Sequence, residues 1–131
     1  MEINMSNVPT VNYFDLGLHK GEEINMFLDA VKDINIKVKV YGFEAHQDLY
    51  EYVKKRYSNY PNIYIYNKAI SNINGLSKLY IAESNKMEGN SIFSTKNNVD
   101  IKNFLEVESI LMSDWILQNI KNFKTSINIL R

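Results

Sequence analysis

The chain has no cysteine, which removes disulfides, thiol catalysis and cysteine-ligated metal from consideration. It also has no excess of either charge. Fifteen basic residues balance fifteen acidic ones, so no global field draws the protein toward nucleic acid or a membrane surface. No apolar run approaches the roughly 20 residues that a spanning helix needs. The opening stretch, MEINMSNVPTV, has neither the basic nor the apolar region of a secretion signal. Two histidines without an acidic cluster make a poor metal site. At 131 residues the chain is long enough for one domain with a real core and too short for two. The expectation is a cytoplasmic domain with no membrane partner and no metal, residues 1–10 forming an N-terminal extension and residues 11–131 the domain proper. Asn, Ile, Lys and Tyr are abundant, all with AT-rich codons, so Asn-rich patches carry no functional weight.

What is present is an alternation of elements. Val11 to Asp15 is a short, mostly apolar run meeting turn chemistry, and predicts a buried strand. From Gly21 to Asp33, Ile24, Phe27, Leu28 and Val31 recur on one face of an amphipathic helix, with Glu22 and Glu23 in its first turn complementing the helix dipole. Ile36 to Glu44 alternates with period two and predicts a second strand. His46 to Tyr57 predicts a helix whose Leu49 and Val53 face inward while Lys54, Lys55 and Arg56 stay solvated. Pro61-Asn62 breaks it, and NIYIYNKAI predicts a third strand. Strand, helix, strand, helix, strand points to an α/β fold: a Rossmann-like, mostly parallel sheet with flanking helices. Beyond the Asn74-Gly75 turn, LSKLYIAE and FLEVESILM predict further strands, with SNKMEGNSIFSTKNN as a surface loop between them. SDWILQNI predicts a short helix capped by Ser113 or Asp114, with Trp115 in the core, and SINIL opens another strand. Glu106 and Glu108 are expected to face solvent.

In an open parallel sheet, ligands bind beyond the carboxyl ends of the strands. The first strand ends there in DLGLHKG, residues 15–21. Gly17 would let a ligand approach the backbone, and Gly21 would open the helix and permit close packing onto the sheet. A Walker loop is excluded, because Lys20 precedes Gly21 and Glu22 stands where a hydroxyl is required. The dinucleotide fingerprint fits poorly, because Asp15 would meet a pyrophosphate with the wrong charge. An acid here suits a ligand with a cationic end, an amino group or a sulfonium; S-adenosylmethionine has both. Glu44, at the end of the second strand, can accept both hydroxyls of a ribose. The plainer alternatives are that Asp15 satisfies its own loop and that Glu44 is an ordinary strand-end acid.

The ordered series YFDLGLHKGEE, VYGFEAH, IYIYNKAISNINGLSKLYI, GNSIF, FLEVESILMSDWI and INIL resembles the FkbM-type S-adenosylmethionine-dependent methyltransferases, from about Tyr13 to Leu130. That family carries a D-x-G-A-N-x-G loop, an aromatic-Glu-Pro after the second strand, and Ala-(Leu/Val)-Ser with Asn/Asp-Gly after the third. By this resemblance Asp15, Gly17 and Gly21 form the methionine-side loop and Glu44 holds the ribose. Phe43, Ala45 and the Lys68-Ala69 backbone flank the adenine, and Ser91 lies near the cofactor; His19, which stands where the family has Asn, could still offer a donor to the cofactor carboxylate. Leu18-His19 replaces Ala-Asn, and Ala45-His46 replaces the Pro that follows the acid. The family strand that begins like INIL continues into an acidic K-I-D-V-E-G-A-E segment, whereas this sequence stops at Arg131, as a fold truncated once its fourth core strand begins.

The function expected is methyl transfer from S-adenosylmethionine, by resemblance to the hydroxyl of a sugar or another small acceptor, with the base unassigned. The competing expectation is a non-catalytic nucleoside- or partner-binding module derived from a truncated methyltransferase. In that case an open sheet edge would invite a second copy or a complementing chain. An NAD-type domain rests on Glu44 alone, and nucleic acid is not expected despite the Tyr and Lys of YEYVKKRYSNYP.

Overall fold

Four strands and the two helices between them place the carboxyl ends of the strands along one rim. A computed structural model describes residues 8–82 and 99–131. The elements are β1 (Thr10–Asp15), α1 (Glu22–Val31), β2 (Lys37–Phe43), α2 (Gln47–Arg56), β3 (Ile63–Tyr66), β4 (Ala69–Ser71), β5 (Gly75–Ala82), β6 (Val99–Leu111), α3 (Met112–Asn119), a 3-10 turn (Phe123–Thr125) and β7 (Ile127–Leu130). The larger sheet has the order β3-β2-β1-β7, and every pair in it is parallel. Chain order therefore reverses direction between β1 and β7, the arrangement of a Rossmann-like half-sheet and its switch point. Ser91, the expected 84–98 loop and most of the expected N-terminal extension lie outside the described residues.

The faces follow from right-handed crossovers. β1-α1-β2-α2-β3 winds outward in one direction, which puts both helices on one face. Tyr13, Leu18, Ile24, Val40, Val53, Tyr57 and Ile63 form the core there. The return to β7 winds the opposite way, which puts α3 on the other face. Phe14, Tyr41, Phe43, Ile110, Trp115 and Ile120 fill that side. Phe14, Tyr41 and Tyr64 stack across three adjacent strands at 5.2 and 5.3 Å, and Trp115 meets Tyr41, Phe43 and Tyr66 edge-on. Trp115 is thus core, as its sequence context implied. With both faces covered, β1 is buried from Val11 to Asp15. Asn12 bonds Asn128 across the β1–β7 seam at 3.0 Å, fixing register in an otherwise apolar layer.

Three local expectations need correction. NIYIYNKAI is not one strand: β3 ends at Tyr66, and β4 joins a second sheet of order β4-β6-β5. The break falls at Asn67-Lys68, where the Asn67 amide lies 3.0 and 3.1 Å from the carbonyls of Glu44 and Ala45 and so ties this junction to the segment after β2. The last helix starts at Met112, with no cap from its own residues. Asn74 supplies the cap from outside, accepting from Leu111 N at 2.8 Å and donating to Asp114 Oδ2 at 2.9 Å. Gly21 packs not onto the sheet but against α2: a Cβ there would lie 3.1 Å from Tyr57 Cε2, and its φ of 84° is left-handed. Glu106 and Glu108 are exposed, as expected. No helix among the described residues is long and apolar enough to cross a membrane.

Candidate functional site

The loop after β1 is bound to the end of β2 by a side chain, a carbonyl and a carboxylate. Leu18 turns inward and is 1% exposed. It sits over Gly42, where an added Cβ would fall 2.6 Å from Leu18 Cδ2. Its N–H donates to Phe43 O at 3.1 Å. The next residue, His19, takes a left-handed φ of 52°, which reverses the chain toward α1. Its N–H donates to Glu44 Oε2 at 2.8 Å, and its Nδ1 lies 3.4 Å from Glu22 Oε1. Arg56 of α2 and Tyr57 at its C-cap hold the Lys20 and Gly21 carbonyls. Gly17 is left exposed, with nothing within 4 Å of the place a Cβ would occupy. A ligand can therefore meet its backbone directly.

Asp15 lies at the switch point, the last residue of β1, and is fully buried. Oδ1 accepts from Gly17 N at 3.4 Å and from Arg131 Nη1 at 3.3 Å, both long contacts. Oδ2 is buried with no hydrogen-bond partner among the described residues. Burial raises the Asp15 pKa above its ordinary value, even though the Gly17 N–H and the Arg131 charge pull it down. Arg131 Nη2 also reaches Glu23 Oε1 at 3.1 Å.

Glu44 stands one strand over, half-buried. Besides His19, it accepts from His46 N at 3.0 Å through Oε1. One carboxylate thus joins the β1–α1 loop to the start of α2. Two amide bonds use half of the roughly four lone-pair positions a carboxylate offers, so each oxygen keeps capacity for a hydroxyl. Farther along the same rim, Ala45, Gln47 and Asn67 form one wall of a cleft of about 310 Å³ whose other wall is Leu105 to Glu108 of β6. Lys68 pairs with Glu108 at 2.6 Å behind it.

The candidate residues thus divide. Asp15, Gly17, His19, Gly21, Glu44 and Ala45 gather on one rim in strand order. Phe43 is fully buried beneath Trp115 and Tyr66, so it offers the rim only a carbonyl, already taken by Leu18. Ala69 is buried in β4 opposite Ser109. His46 is an N-cap: its Nδ1 accepts from Asp48 N at 3.2 Å. Replacing His46 with Ala should lower stability by about 1 kcal/mol and His46→Asp should restore it, both read from urea midpoints. Sequence reasoning missed Leu18, Gly42, Glu23, Asn67 and Arg131. Leu18 and Gly42 lie 24 positions apart, and nothing local links them. Among the described residues, no group of three His, Asp or Glu side chains is placed to hold a metal ion.

No family model matches the chain, and no curated protein matches it.

Proposed function

We propose that this chain carries the cofactor half of an S-adenosylmethionine-dependent methyltransferase site, the acceptor being the hydroxyl of a sugar or another small molecule. The observation that carries this reading is Asp15: a buried carboxylate with one oxygen unpartnered, at the switch point of a parallel sheet. Two further features support it. Glu44 keeps lone pairs for a vicinal diol, and the cleft beside Ala45 and Asn67 continues the same rim with room for a base. Asp15, Glu44 and the cleft therefore lie in the order of a cationic end, a ribose and a base. When bound, S-adenosylmethionine supplies a methyl group activated by its sulfonium. The chain's own part is to hold and orient. Asp15 faces the positive end, Gly17 leaves its backbone open, and Glu44 fixes the ribose while clasping the loop that Leu18 anchors. No described residue is assigned as base toward the acceptor.

Calorimetric titration with S-adenosylhomocysteine, alongside NAD, tests this. Saturable binding of the first and none of the second is the expected result, because NAD would set its anionic pyrophosphate against Asp15 and has no ammonium to offer it. Heat from NAD alone, or from neither ligand, would remove the methyl-donor reading.

A second reading has its own support. Among the described residues β7 is an edge strand, on which Ile127 and Leu130 are each more than half exposed, the kind of edge that pairs with another chain. A non-catalytic binding module is expected to self-associate or take up a complementing strand there. Sedimentation of the chain with and without Ile127→Lys separates the cases: a concentration-dependent dimer lost in the variant favours the module.

A further inference from the structure

At the switch point, charge and burial are mismatched. Asp15 is fully buried, whereas the side chain of Arg131, which pairs with it, is 47% exposed and reaches Oδ1 at 3.3 Å, and Oδ2 has no hydrogen-bond partner among the described residues. A desolvated carboxylate is costly unless it is closely paired and every oxygen is matched, and a guanidinium reaching in from the end of β7 matches one. The same guanidinium contacts Glu23 Oε1 at 3.1 Å. Two carboxylates from β1 and α1 thus converge on one cation that fits them imperfectly. The pairing of β7 does not need that cation, since Arg131 N donates to Phe14 O at 2.9 Å and Leu16 N donates to Arg131 O at 3.0 Å through the main chain.

We infer that the Arg131 guanidinium holds the seat of the ligand's cationic group, that Asp15 and Glu23 together form this seat, and that a primary ammonium binds by displacing Arg131. An ammonium is compact and carries three donors. It enters between the carboxylates without the reach that keeps a planar guanidinium on one oxygen. Arg131 then acts as a built-in competitor: apparent affinity falls by the fraction of time that its side chain fills the seat. This inference rests on the methyl-donor reading for its natural ligand, but the seat itself is defined by charge and can be tested with no nucleoside present.

Two ligands that differ in the amino-acid end separate the roles. S-adenosylhomocysteine carries an ammonium, and 5′-methylthioadenosine lacks it. Arg131→Gln should bind the first about fivefold tighter or more and the second unchanged. Glu23→Gln should weaken the first about fivefold and again leave the second unchanged. A merely structural Arg131 would shift both ligands together. Weaker or unaltered binding of S-adenosylhomocysteine by Arg131→Gln, or equal shifts for both ligands, would overturn the inference. The nucleoside-free arm follows the Gly17 and Glu23 amide resonances during titration with L-methionine methyl ester. Arg131→Gln should respond at lower concentration than the parent chain. Equal responses, or none in either protein, also overturn it. If the ester discriminates while neither nucleoside binds, the cation seat stands and the methyl-donor reading falls. If S-adenosylhomocysteine binds without regard to Arg131, the reading stands and the seat falls.

Discussion

Asp15→Asn should bind S-adenosylhomocysteine about ten- to a hundredfold more weakly, the worth of a charge-assisted contact to a buried group, while gaining stability relative to the parent as pH rises. The two effects share one cause. Burial raises the Asp15 pKa above its ordinary value, more than the Gly17 N–H, the Arg131 charge and the Arg131 hydrogen bond lower it. The folded chain therefore holds this proton more tightly than the unfolded chain does. Its contribution to stability is complete below the ordinary carboxylate pKa and is lost as pH rises through the folded value. Asparagine has no proton to lose, so the variant escapes that fall. Urea midpoints at about pH 4 and about pH 7 test the sign: the difference, variant minus parent, should grow with pH. A difference that shrinks would mean that Asp15 is well paired when charged, and its standing as a ligand group would go with it. A buried, under-matched carboxylate at the end of a strand costs stability, as a group with the ligand role proposed for Asp15 would.

Gly42→Ala should destabilise the chain by about 1–3 kcal/mol through overpacking and should unfasten the loop that carries the site. The new methyl would meet Leu18 Cδ2 at 2.6 Å, Cδ1 at 2.8 Å and Cγ at 3.0 Å. Leu18 is buried against Tyr13, Ile24 and Val40, so it cannot swing aside without leaving the core. When Leu18 moves, the Leu18–Phe43 bond and the His19–Glu44 bond move with it. The measurement is a double-mutant cycle with Leu18→Ala, a substitution expected to cost about 2–4 kcal/mol alone as a cavity. The pair should be strongly non-additive, the double variant losing much less than the sum. Additivity would mean that Gly42 accommodates a methyl elsewhere and that Leu18 is not what fixes the loop. Amide exchange of His19 gives a second view, since its N–H should lose protection in Gly42→Ala and keep it in His46→Ala.

Much of this architecture was legible in the residues. Ile24, Phe27 and Val31 at helical spacing, and the period-two run from Ile36, announced a β-α-β unit because burying one face imposes one period on each element. Asp15 and Glu44 were legible as strand-end acids, since the turn chemistry of Gly17 and Gly21 marks where β1 stops. NIYIYNKAI was misjudged for the converse reason. Both halves have strand composition, and neither periodicity nor propensity records that the Asn67 amide reaches back to the Glu44 and Ala45 carbonyls. The cap of α3 was misassigned for a similar reason, because Asn74, from another segment, does what Ser113 or Asp114 would do locally.

The sequence by itself determined the β-α-β-α-β alternation of the first half and the rim on which an acid and two glycines stand, because those depend on periodicity and turn chemistry among neighbours a few residues apart; the second sheet, in which β5 and β6 run antiparallel, it did not reveal. Tertiary structure alone decided what each acid does. Glu44 became a clasp because folding brings His19 and His46 amides to its two oxygens, and Asp15 became an under-matched buried charge because β7, 112 residues beyond β1 in the chain (from Asp15 to Ile127), delivers Arg131 to one of its oxygens and leaves the other bare. Desolvation and hydrogen-bond geometry are properties of surroundings, and surroundings assembled from distant segments leave no local trace in a sequence.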